Sequence, residues 1–365
     1  MRKPNTAIDY STNFTWNFDE KRTNYRSESD IKLTVRAKSD SWRLARPIRN
    51  IGVLLVPNFA LMSFACAVEP FRAANRVSGR EIYRWQHISP DGGPVHASNG
   101  VQIVPEFGVG APAKFDLLIV CAGGNPADFR DARTFAWLRR IARDDTPIAG
   151  VSGGSYVMAR AGVLEGYRFT IHWEHIPAFI EEFPNHQLTR SLYEIDRERL
   201  SCAGGTASLD MMTALIEREH GAELAGDVAE QFLHTHLRAS DESQRMPVRE
   251  RLAVSHPRLV RIIERMEANL EDPVPRVALA RMAGLSVRQV ERLFHCHLGR
   301  SIAAHYRELR LRRARTLLVQ STMSILEIAV ACGFVSASHF ARRYRARYGV
   351  APRTDRKRGV SQTDK

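Results

Sequence analysis

Cysteine is scarce in this chain of 365 residues, and its placement excludes several classes of protein. The cysteines are odd in number and scattered, without a CxxC motif or a cysteine–histidine spacing that would bind metal. They indicate reduced thiols rather than a disulfide framework, and we expect no metal and no cofactor. The cysteines are Cys66, Cys121, Cys202, Cys296 and Cys332.

Long apolar runs are missing as well. No stretch approaches the ~18 uninterrupted apolar residues of a membrane span, and the N-terminus has no apolar segment of a secretory signal. These absences predict a cytoplasmic protein with no membrane partner. Residues 1–48 are polar and short of aliphatic side chains, which predicts a disordered or non-core extension. An upstream choice of start codon would explain that segment equally well.

Acidic residues are depleted only toward the C-terminus. Residues 249–360 contain 23 Lys and Arg against 9 Asp and Glu, whereas residues 50–248 contain 18 against 24. A mildly acidic body joined to a strongly basic end is typical of a regulatory domain that carries a phosphate-binding module. Arg-rich helices are also common as solvated faces. A phosphate-binding module can therefore be inferred only if a second, independent pattern accompanies the charge.

One pattern occurs twice in the basic region, at 277–294 and 325–344. Each copy has a short segment of helical apolar period, a small residue where two helices meet, a glycine turn and a second helical segment. A repeat in register predicts two helix–turn–helix units, and the second helix of such a unit enters the DNA major groove. The matched pairs are Ala280 with Ala329, Gly284 with Gly333, Arg292 with Arg342, and Phe294 with Tyr344.

The second helix of each unit supplies the candidate DNA contacts. Arginine matches guanine O6 and N7 and glutamine matches adenine N6 and N7, although some of these side chains would contact phosphate instead. A connecting helix at 302–319 would span roughly 27 Å and hold the two second helices about one DNA turn apart. Its arginines, between 310 and 315, are expected to contact phosphate or form surface salt bridges. The candidate contacts are Arg288, Gln289, Arg292, Ser338, His339, Arg342 and Arg343.

The region before the basic end alternates buried-strand and helical patterns. Apolar runs at 51–56, 115–120 and 147–151 are each followed by a helical period, which predicts a doubly wound parallel sheet. Further helices are predicted at 207–220 and up to about residue 237. We therefore expect an α/β domain over 49–240, a charged linker over 241–255, an all-α DNA-binding domain over 256–356 and a tail over 357–365.

A nucleophile motif lies after the third predicted strand. Gly150 to Gly154 fits G-x-S-x-G, between a buried strand and a helix, where a nucleophile elbow belongs. His172 is the candidate base, and an acid would complete a triad. A Ser-dependent amidase or esterase with a DNA-binding appendage is therefore an alternative to a regulator.

The chain also resembles two known families. Residues 257–352 resemble the AraC/XylS-type DNA-binding domain, through Ala331–Arg342 and Tyr348–Pro352. Residues 51–237 resemble the class I glutamine amidotransferase-like (PfpI-like) domain of GlxA-type regulators. The matching segments there are Glu69–Arg76, Gly150–Gly154, Thr170–Trp173 and Ala203–Asp210.

The resemblance implies a function. Regulators of this type have a flavodoxin-like body, bind promoter DNA and typically activate genes for catabolism of small nitrogenous metabolites such as arginine, glycine betaine or carnitine. It also implies a homodimer that contacts RNA polymerase. A third interpretation, constitutive DNA binding with a vestigial body, stays open at this point.

The same resemblance argues against catalysis. PfpI-like enzymes have Cys at the elbow and an acid early in the first helix, whereas Ser152 and Ser63 occupy those positions here. We therefore expect no enzyme and no catalytic residue, with Ser152 and His172 forming a degenerate elbow. Cys121 is expected to be a buried small hydrophobe.

A ligand crevice is expected instead at the carboxyl ends of the strands. Elbow N–H groups and a helix N-terminus would attract a carboxylate, and Trp173 would offer its π face to a cation opposite Glu174 or Glu69. Three alternatives stay open, namely that Trp173 packs in the core, that His172 is a core histidine and that Glu69 pairs within its own helix. The candidate ligand contacts are Ser63, Glu69, Ser152, Gly153, Gly154, Trp173 and Glu174.

Overall fold

The computed structural model describes residues 47–356. The predicted tail at 357–365 and nearly all of the predicted extension at 1–48 lie outside the described residues. No helix between residues 47 and 356 is long and apolar enough to cross a membrane.

Eleven strands are present in the described chain, and seven of them form one sheet. The spatial order of that sheet is β10-β11-β7-β6-β1-β2-β5, parallel throughout except where β10 pairs with β11. Without the two edge strands this is the flavodoxin-like order, which confirms the predicted fold class. The strands are β1 (Arg49–Leu55), β2 (Tyr83–Ser89), β3 (Val95–His96), β4 (Gln102–Ile103), β5 (Phe107–Gly108), β6 (Leu117–Ala122), β7 (Ile148–Ser152), β8 (Arg168–Phe169), β9 (Gln187–Leu188), β10 (Tyr193–Asp196) and β11 (Arg199–Cys202).

Helices cover both faces of this sheet, as predicted. Successive residues of β1 point to opposite faces, so Val53 packs on one side with α1, α5 and α6, and Leu54 on the other with α2, α3 and α4. These helices are α1 (Leu61–Ser78), α2 (Ala132–Arg143), α3 (Gly154–Arg160), α4 (Ile176–Glu182), α5 (Ala207–His220) and α6 (Ala222–Gln231). The last ends short of residue 237, because Leu233 has a φ of 53° that an α-helix does not include.

The C-terminal third is all helical and contains both predicted helix pairs. The first pair is α9 with α10, the second is α12 with α13, and α11 joins them. The helices are α7 (Val248–Arg251), α8 (Pro257–Glu267), α9 (Arg276–Met282), α10 (Val287–Leu298), α11 (Ile302–Gln320), α12 (Ile325–Ala331) and α13 (Ala337–Tyr348).

Serine caps fix where these helices begin. The Ser286 hydroxyl accepts from the N–H of Gln289 at the start of α10, and Ser324 does the same with Glu327 at the start of α12. In both cases the longer side chain returns a bond to the capping residue, so two backbone donors are satisfied at once. Both units therefore contain a capping box. In the first unit it precedes the second helix, α10, and in the second unit it precedes the first helix, α12.

The connector α11 divides the C-terminal region into two cores. Its first half packs with α8, α9 and α10, and its second half packs with α12 and α13. The second core also contains Ala178 from α4 of the body, which is 1% exposed. The two predicted domains are therefore packed against each other.

The segment predicted as a linker, 241–255, is packed at both ends. Near its start, Gln244 Nε2 donates to the Thr170 hydroxyl and to the Ser191 carbonyl of the body. Near its end, Val248 and Val254 lie in the first helical core. The first helical core thus includes two residues that precede position 256, and α7 supplies part of its apolar surface. We call residues 240–247 the strap.

Candidate DNA interface and effector site

The predicted DNA-contacting side chains of α10 lie on its exposed face. Arg288, Gln289 and Arg292 are exposed, whereas Val290 and Phe294 on the opposite face are buried in the first helical core. The helical period of this segment therefore separates a packing face from a face that presents guanidinium groups. Such a face fits the floor of a major groove.

Gln289 has a structural task that the sequence analysis did not assign. Its Oε1 accepts a hydrogen bond from the N–H of Ser286 at 2.8 Å, as part of the capping box. A bidentate contact with adenine needs both the oxygen and the amide N–H of the side chain. While the cap is made, Gln289 offers DNA only its N–H donors.

The second helix of the second unit has the same arrangement with one difference. Ser338, Arg342 and Arg343 are exposed on α13, but His339 is only half-exposed. The His339 ring contacts Phe334 at 5.9 Å between centroids, and its Nε2 lies 3.4 Å from Nε of Arg343. His339 therefore packs partly against Phe334 of the turn, whereas Arg342 and Arg343 are exposed on α13.

Three arginines of the connector form salt bridges, one of the two roles expected for them. Arg312 pairs with Glu308 at 3.1 Å, Arg313 with Glu181 of α4 at 3.6 Å, and Arg315 with Asp355 at 3.2 Å. Each carboxylate lowers the charge that the arginine would offer to a phosphate. The Arg313 pair also crosses from the connector to the body.

Arg310 departs from both expected roles. Its Nε donates to the Cys332 carbonyl at 2.7 Å, a second nitrogen donates to the Gly333 carbonyl, and the guanidinium lies over the Phe334 ring. The last carbonyls of a helix lack intrahelical donors, so this guanidinium satisfies the end of α12. It is a structural residue of the second turn and not a phosphate contact or a salt bridge.

The elbow lies where the motif predicted, at the carboxyl end of β7. Ser152 has a φ of 58°, a left-handed conformation that is uncommon outside glycine, and it is 6% exposed. Ser63 is 3% exposed, and its hydroxyl accepts from the N–H of Gly205 at 2.7 Å. A left-handed serine and a buried serine hydroxyl therefore lie at this edge of the sheet.

Gly204 joins the two serines and was not singled out from the sequence. A Cβ at Gly204 would lie 2.6 Å from Cβ of Ser152 and 2.9 Å from the Ser63 hydroxyl, and its φ is 88°. Only glycine fits such a position. The signal available in the sequence was the glycine pair after a strand, Gly204 and Gly205.

No catalytic triad is assembled at the elbow. The Nδ1 atom of His172 lies 3.9 Å from the Glu174 carboxylate, and its ring contacts that of His175. Among residues 47–356, no imidazole accepts a hydrogen bond from the Ser152 hydroxyl, which a serine nucleophile requires. Burial is the main cause that lowers the pKa of His172.

The two elbow glycines are buried and act in packing. The N–H of Gly153 donates to the Ala122 carbonyl at 3.0 Å, so this donor is not free for a ligand. Gly154 lies against the Val120 carbonyl, which leaves no room for a side chain. The helix that follows, α3, has only seven residues.

The remaining candidate ligand contacts have partners elsewhere in the chain. The Glu69 carboxylate accepts from Arg72 Nε at 2.7 Å within α1, as one alternative expected. Trp173 is 37% exposed and stacks with the Arg245 guanidinium at 4.6 Å, so its π face is occupied by a cation of the chain itself. With Glu174 it lines a cavity between the body and the DNA-binding helices. Ser63 and Ser152 thus meet at Gly204, whereas Trp173 and Glu174 line this cavity.

The chain matches two protein families and several characterised regulators. It matches the DJ-1/PfpI family over residues 50–218 and a helix-turn-helix domain over 279–358. It is 44% identical over 308 residues to the HTH-type transcriptional regulator GbdR of Pseudomonas aeruginosa, covering 84% of each chain. It is 41% identical to the HTH-type transcriptional regulator GlxA of Rhizobium meliloti, covering 89% of this chain and 99% of that one. The chain belongs to the AraC-type transcriptional regulators with a DJ-1/PfpI domain.

This membership confirms the resemblance inferred from the sequence. Another relative of this AraC-type regulator, the HTH-type transcriptional regulator CdhR of Pseudomonas aeruginosa, is 44% identical and is covered over 90% of its length. The DJ-1/PfpI fold family includes enzymes, but these relatives are named as regulators of transcription.

Two further features describe the body of the AraC-type regulator. Within residues 47–356, no three Cys, His, Asp or Glu side chains are grouped so that they would hold a metal ion. Cys121 is 1% exposed, and burial raises the pKa of its thiol, which agrees with its expected role as a small apolar residue.

Proposed function

We propose that the protein activates transcription in response to a small nitrogenous metabolite, an amino acid or a quaternary amine. The observation that carries this proposal is the pair of helix–turn–helix units, each with exposed arginines on its second helix, joined to a DJ-1/PfpI body. Regulators of the resembling type typically respond to arginine, glycine betaine or carnitine. The chain would act in the cytoplasm as a homodimer on promoter DNA, with RNA polymerase as its partner.

The signal would pass through the contact between the body and the connector. Because α4 packs on α11, a ligand that shifts the body would change how the two second helices present themselves to the duplex. The effector site we propose is the elbow region around Ser63 and Ser152, where a strained backbone meets two hydroxyl groups. Among the other candidates, Glu69 pairs with Arg72, Trp173 with Arg245 and Glu174 with His172, so an effector would compete with these contacts.

The alternative is a Ser-dependent hydrolase with a DNA-binding domain. The positive φ of Ser152 favours it, because nucleophile elbows have this strain. No imidazole of residues 47–356 is bonded to Ser152, which argues against it.

DNA binding and ligand response are tested separately. Binding of the full chain to promoter fragments of its own genome should weaken steeply as salt increases, because phosphate contacts release counterions. The free effector should raise the thermal unfolding midpoint, with arginine, glycine betaine and carnitine as the compounds screened. If no compound shifts the midpoint while DNA binding persists, the body is vestigial and the ligand response is wrong.

A Ser152→Ala variant distinguishes the regulator from the hydrolase. The regulator predicts that effector-dependent activation of a reporter continues in Ser152→Ala, with at most a weaker effector affinity from the lost hydroxyl contact, and Ser152→Cys serves as the control that restores the thiol of the resembling enzymes. Activation that Ser152→Ala abolishes at every effector concentration and Ser152→Cys retains would favour nucleophilic chemistry instead.

A further inference from the structure

A cavity of about 440 Å³ lies between the body and the DNA-binding helices. Its walls come from the start of α4, from the strap, from α8 and from α11. This volume is within the usual range of small-molecule sites, roughly 300–1,000 Å³. Because both parts of the chain supply the walls, a bound molecule would contact both at once.

Guanidinium groups dominate the polar lining of this cavity. Five arginines face two glutamates, Glu174 and Glu267. Both terminal nitrogens of Arg251 donate to Glu267, at 2.9 and 2.8 Å, so that pair is neutral. Arg312 and Arg313 pair with Glu308 and Glu181, so the unpaired positive charge is carried by Arg190 and Arg245.

Two of these cations lack a carboxylate partner in the described chain. Arg190 is exposed and forms no ion pair among residues 47–356, and Arg245 is held only by the ring of Trp173. Burial lowers the pKa of Arg245, and the neighbouring guanidinium group of Arg251 lowers it further. Three of the five arginines thus have a carboxylate, and two guanidinium groups are left on this surface without an anionic partner among residues 47–356.

Two arginines of the lining also have a donor that the chain leaves unsatisfied. The Nε–H groups of Arg251 and Arg313 are buried and have no acceptor among the described residues. Native structures seldom leave a buried donor without a partner. Because these Nε atoms have no accessible surface, an anion in the cavity would contact the terminal nitrogens of the arginines instead.

We propose that this cavity binds an organic anion with a carboxylate or phosphoryl group, and that the bound anion holds the DNA-binding helices against the body. The guanidinium groups would bind the anionic group in a fork geometry. Apolar side chains on the same walls, among them Ile176, Ile180 and Leu309, would cover its carbon skeleton. This site is separate from the elbow and goes beyond the proposed response to a nitrogenous metabolite.

The proposal is tested by calorimetric titration of the full chain with citrate and with inorganic phosphate at constant ionic strength. We expect one saturable site per chain for citrate. Arg245→Gln and Arg313→Gln should each raise the citrate Kd at least tenfold, because each removes a charged donor from the cavity. Binding of phosphate as well would assign the site to anionic groups in general, and binding of citrate alone would assign it to carboxylates.

Two matched controls separate this site from the rest of the basic surface. Arg140→Gln changes an exposed arginine of α2, and Arg342→Gln changes one on the DNA-facing side of α13. Both should leave the citrate Kd unchanged. Arg245 is exposed, so its variant keeps the test valid even if Arg313→Gln weakens folding, which the thermal unfolding midpoint without anion reports.

Absence of saturable binding by either anion would overturn the proposal. So would an equal loss of affinity in Arg342→Gln, which would assign the anion to the DNA-binding face. The titration contains no DNA and no amine, so its failure leaves the regulator and its effector untouched.

Discussion

The amide of Asn125, in the loop after β6, donates a hydrogen bond to the carbonyl oxygen of Val319 in α11 at 2.9 Å. It joins a body loop to the far end of the connector, close to where Ala178 enters the second helical core. His175 adds a third contact, with its Nδ1 atom 3.2 Å from Gln320 Oε1. The DNA-binding helices are thus docked on the body by polar and apolar contacts together.

Charge placed inside this contact should separate the two parts. Ala178→Asp would put an unpaired carboxylate into an apolar core, at a cost of several kcal/mol. We expect faster limited proteolysis within the strap, whose Gln244 contacts would then open. Ala142→Asp, on a half-buried surface of α2 away from α11, is the control. Equal cleavage of both variants would mean that the contact does not protect the strap.

His175 should make stability depend on pH. Burial lowers its pKa to about 4, assisted by the neighbouring His172 and opposed by the hydrogen bond with Gln320. Between this value and the unfolded value of 6.5, the unfolded chain binds more protons than the folded chain. The free energy of unfolding should therefore fall as pH decreases from 6.5 to 4, by about 3 kcal/mol from this residue.

Urea unfolding at several pH values checks this expectation. His175→Asn should have a shallower slope than the parent chain between pH 4 and 6.5, whereas His236→Asn, at a histidine that is 82% exposed, should keep the parent slope. His305, whose pKa is also lowered to about 4 by burial, supplies a second part of the slope that stays in both variants. An unchanged slope in His175→Asn would contradict the prediction.

Arg288→Ala should weaken binding to the cognate site more than binding to random DNA. A bidentate contact with guanine contributes about 1–3 kcal/mol of discrimination, so the specific Kd should rise roughly tenfold to a hundredfold. Fluorescence anisotropy with both duplexes measures the two losses, and Arg140→Ala in the body is the control. Equal losses on the two duplexes would reassign Arg288 to a phosphate contact.

The two turn glycines should tolerate alanine differently. Both have positive φ, 63° at Gly284 and 69° at Gly333, so each substitution strains the backbone by about 1 kcal/mol. A Cβ at Gly333 would also lie 2.5 Å from the Glu271 carbonyl, whereas Gly284 has open space. Gly333→Ala should therefore lower the free energy of unfolding by about 3 kcal/mol or more, and Gly284→Ala by much less. Similar losses of stability in the two variants, measured by thermal unfolding, would show that the Glu271 carbonyl moves away from the new Cβ without cost.

Local sequence patterns predicted the strands that are themselves continuous apolar runs. The strands β1, β6 and β7 are continuous apolar runs, because both of their faces are covered by helices. The strands β2 and β11 were missed, since Arg84, Gln86 and Arg199 interrupt their apolar pattern. Such segments become strands because they pair with neighbouring strands, and the sequence of one segment does not show which strands will be its neighbours.

The candidate site was predicted in its parts and not in its arrangement. Ser152 and Ser63 were singled out from a motif and a resemblance, and the structure brings both to Gly204. The resemblance grouped His172 and Trp173 with these serines. In the structure, His172 faces Glu174 and Trp173 faces Arg245. The direction of a side chain after a short strand depends on what packs beside it, and here that is the strap.

The two helix–turn–helix units, the α/β body and the division of charge between them could be predicted from the order of residues alone, because periodicity and glycine turns act over a few residues. The packing of distant segments was needed to show that Arg310 closes the second turn and that Ala178 completes a core of the other domain. These roles depend on contacts between residues far apart in the chain, and such contacts form only when packing brings distant segments together.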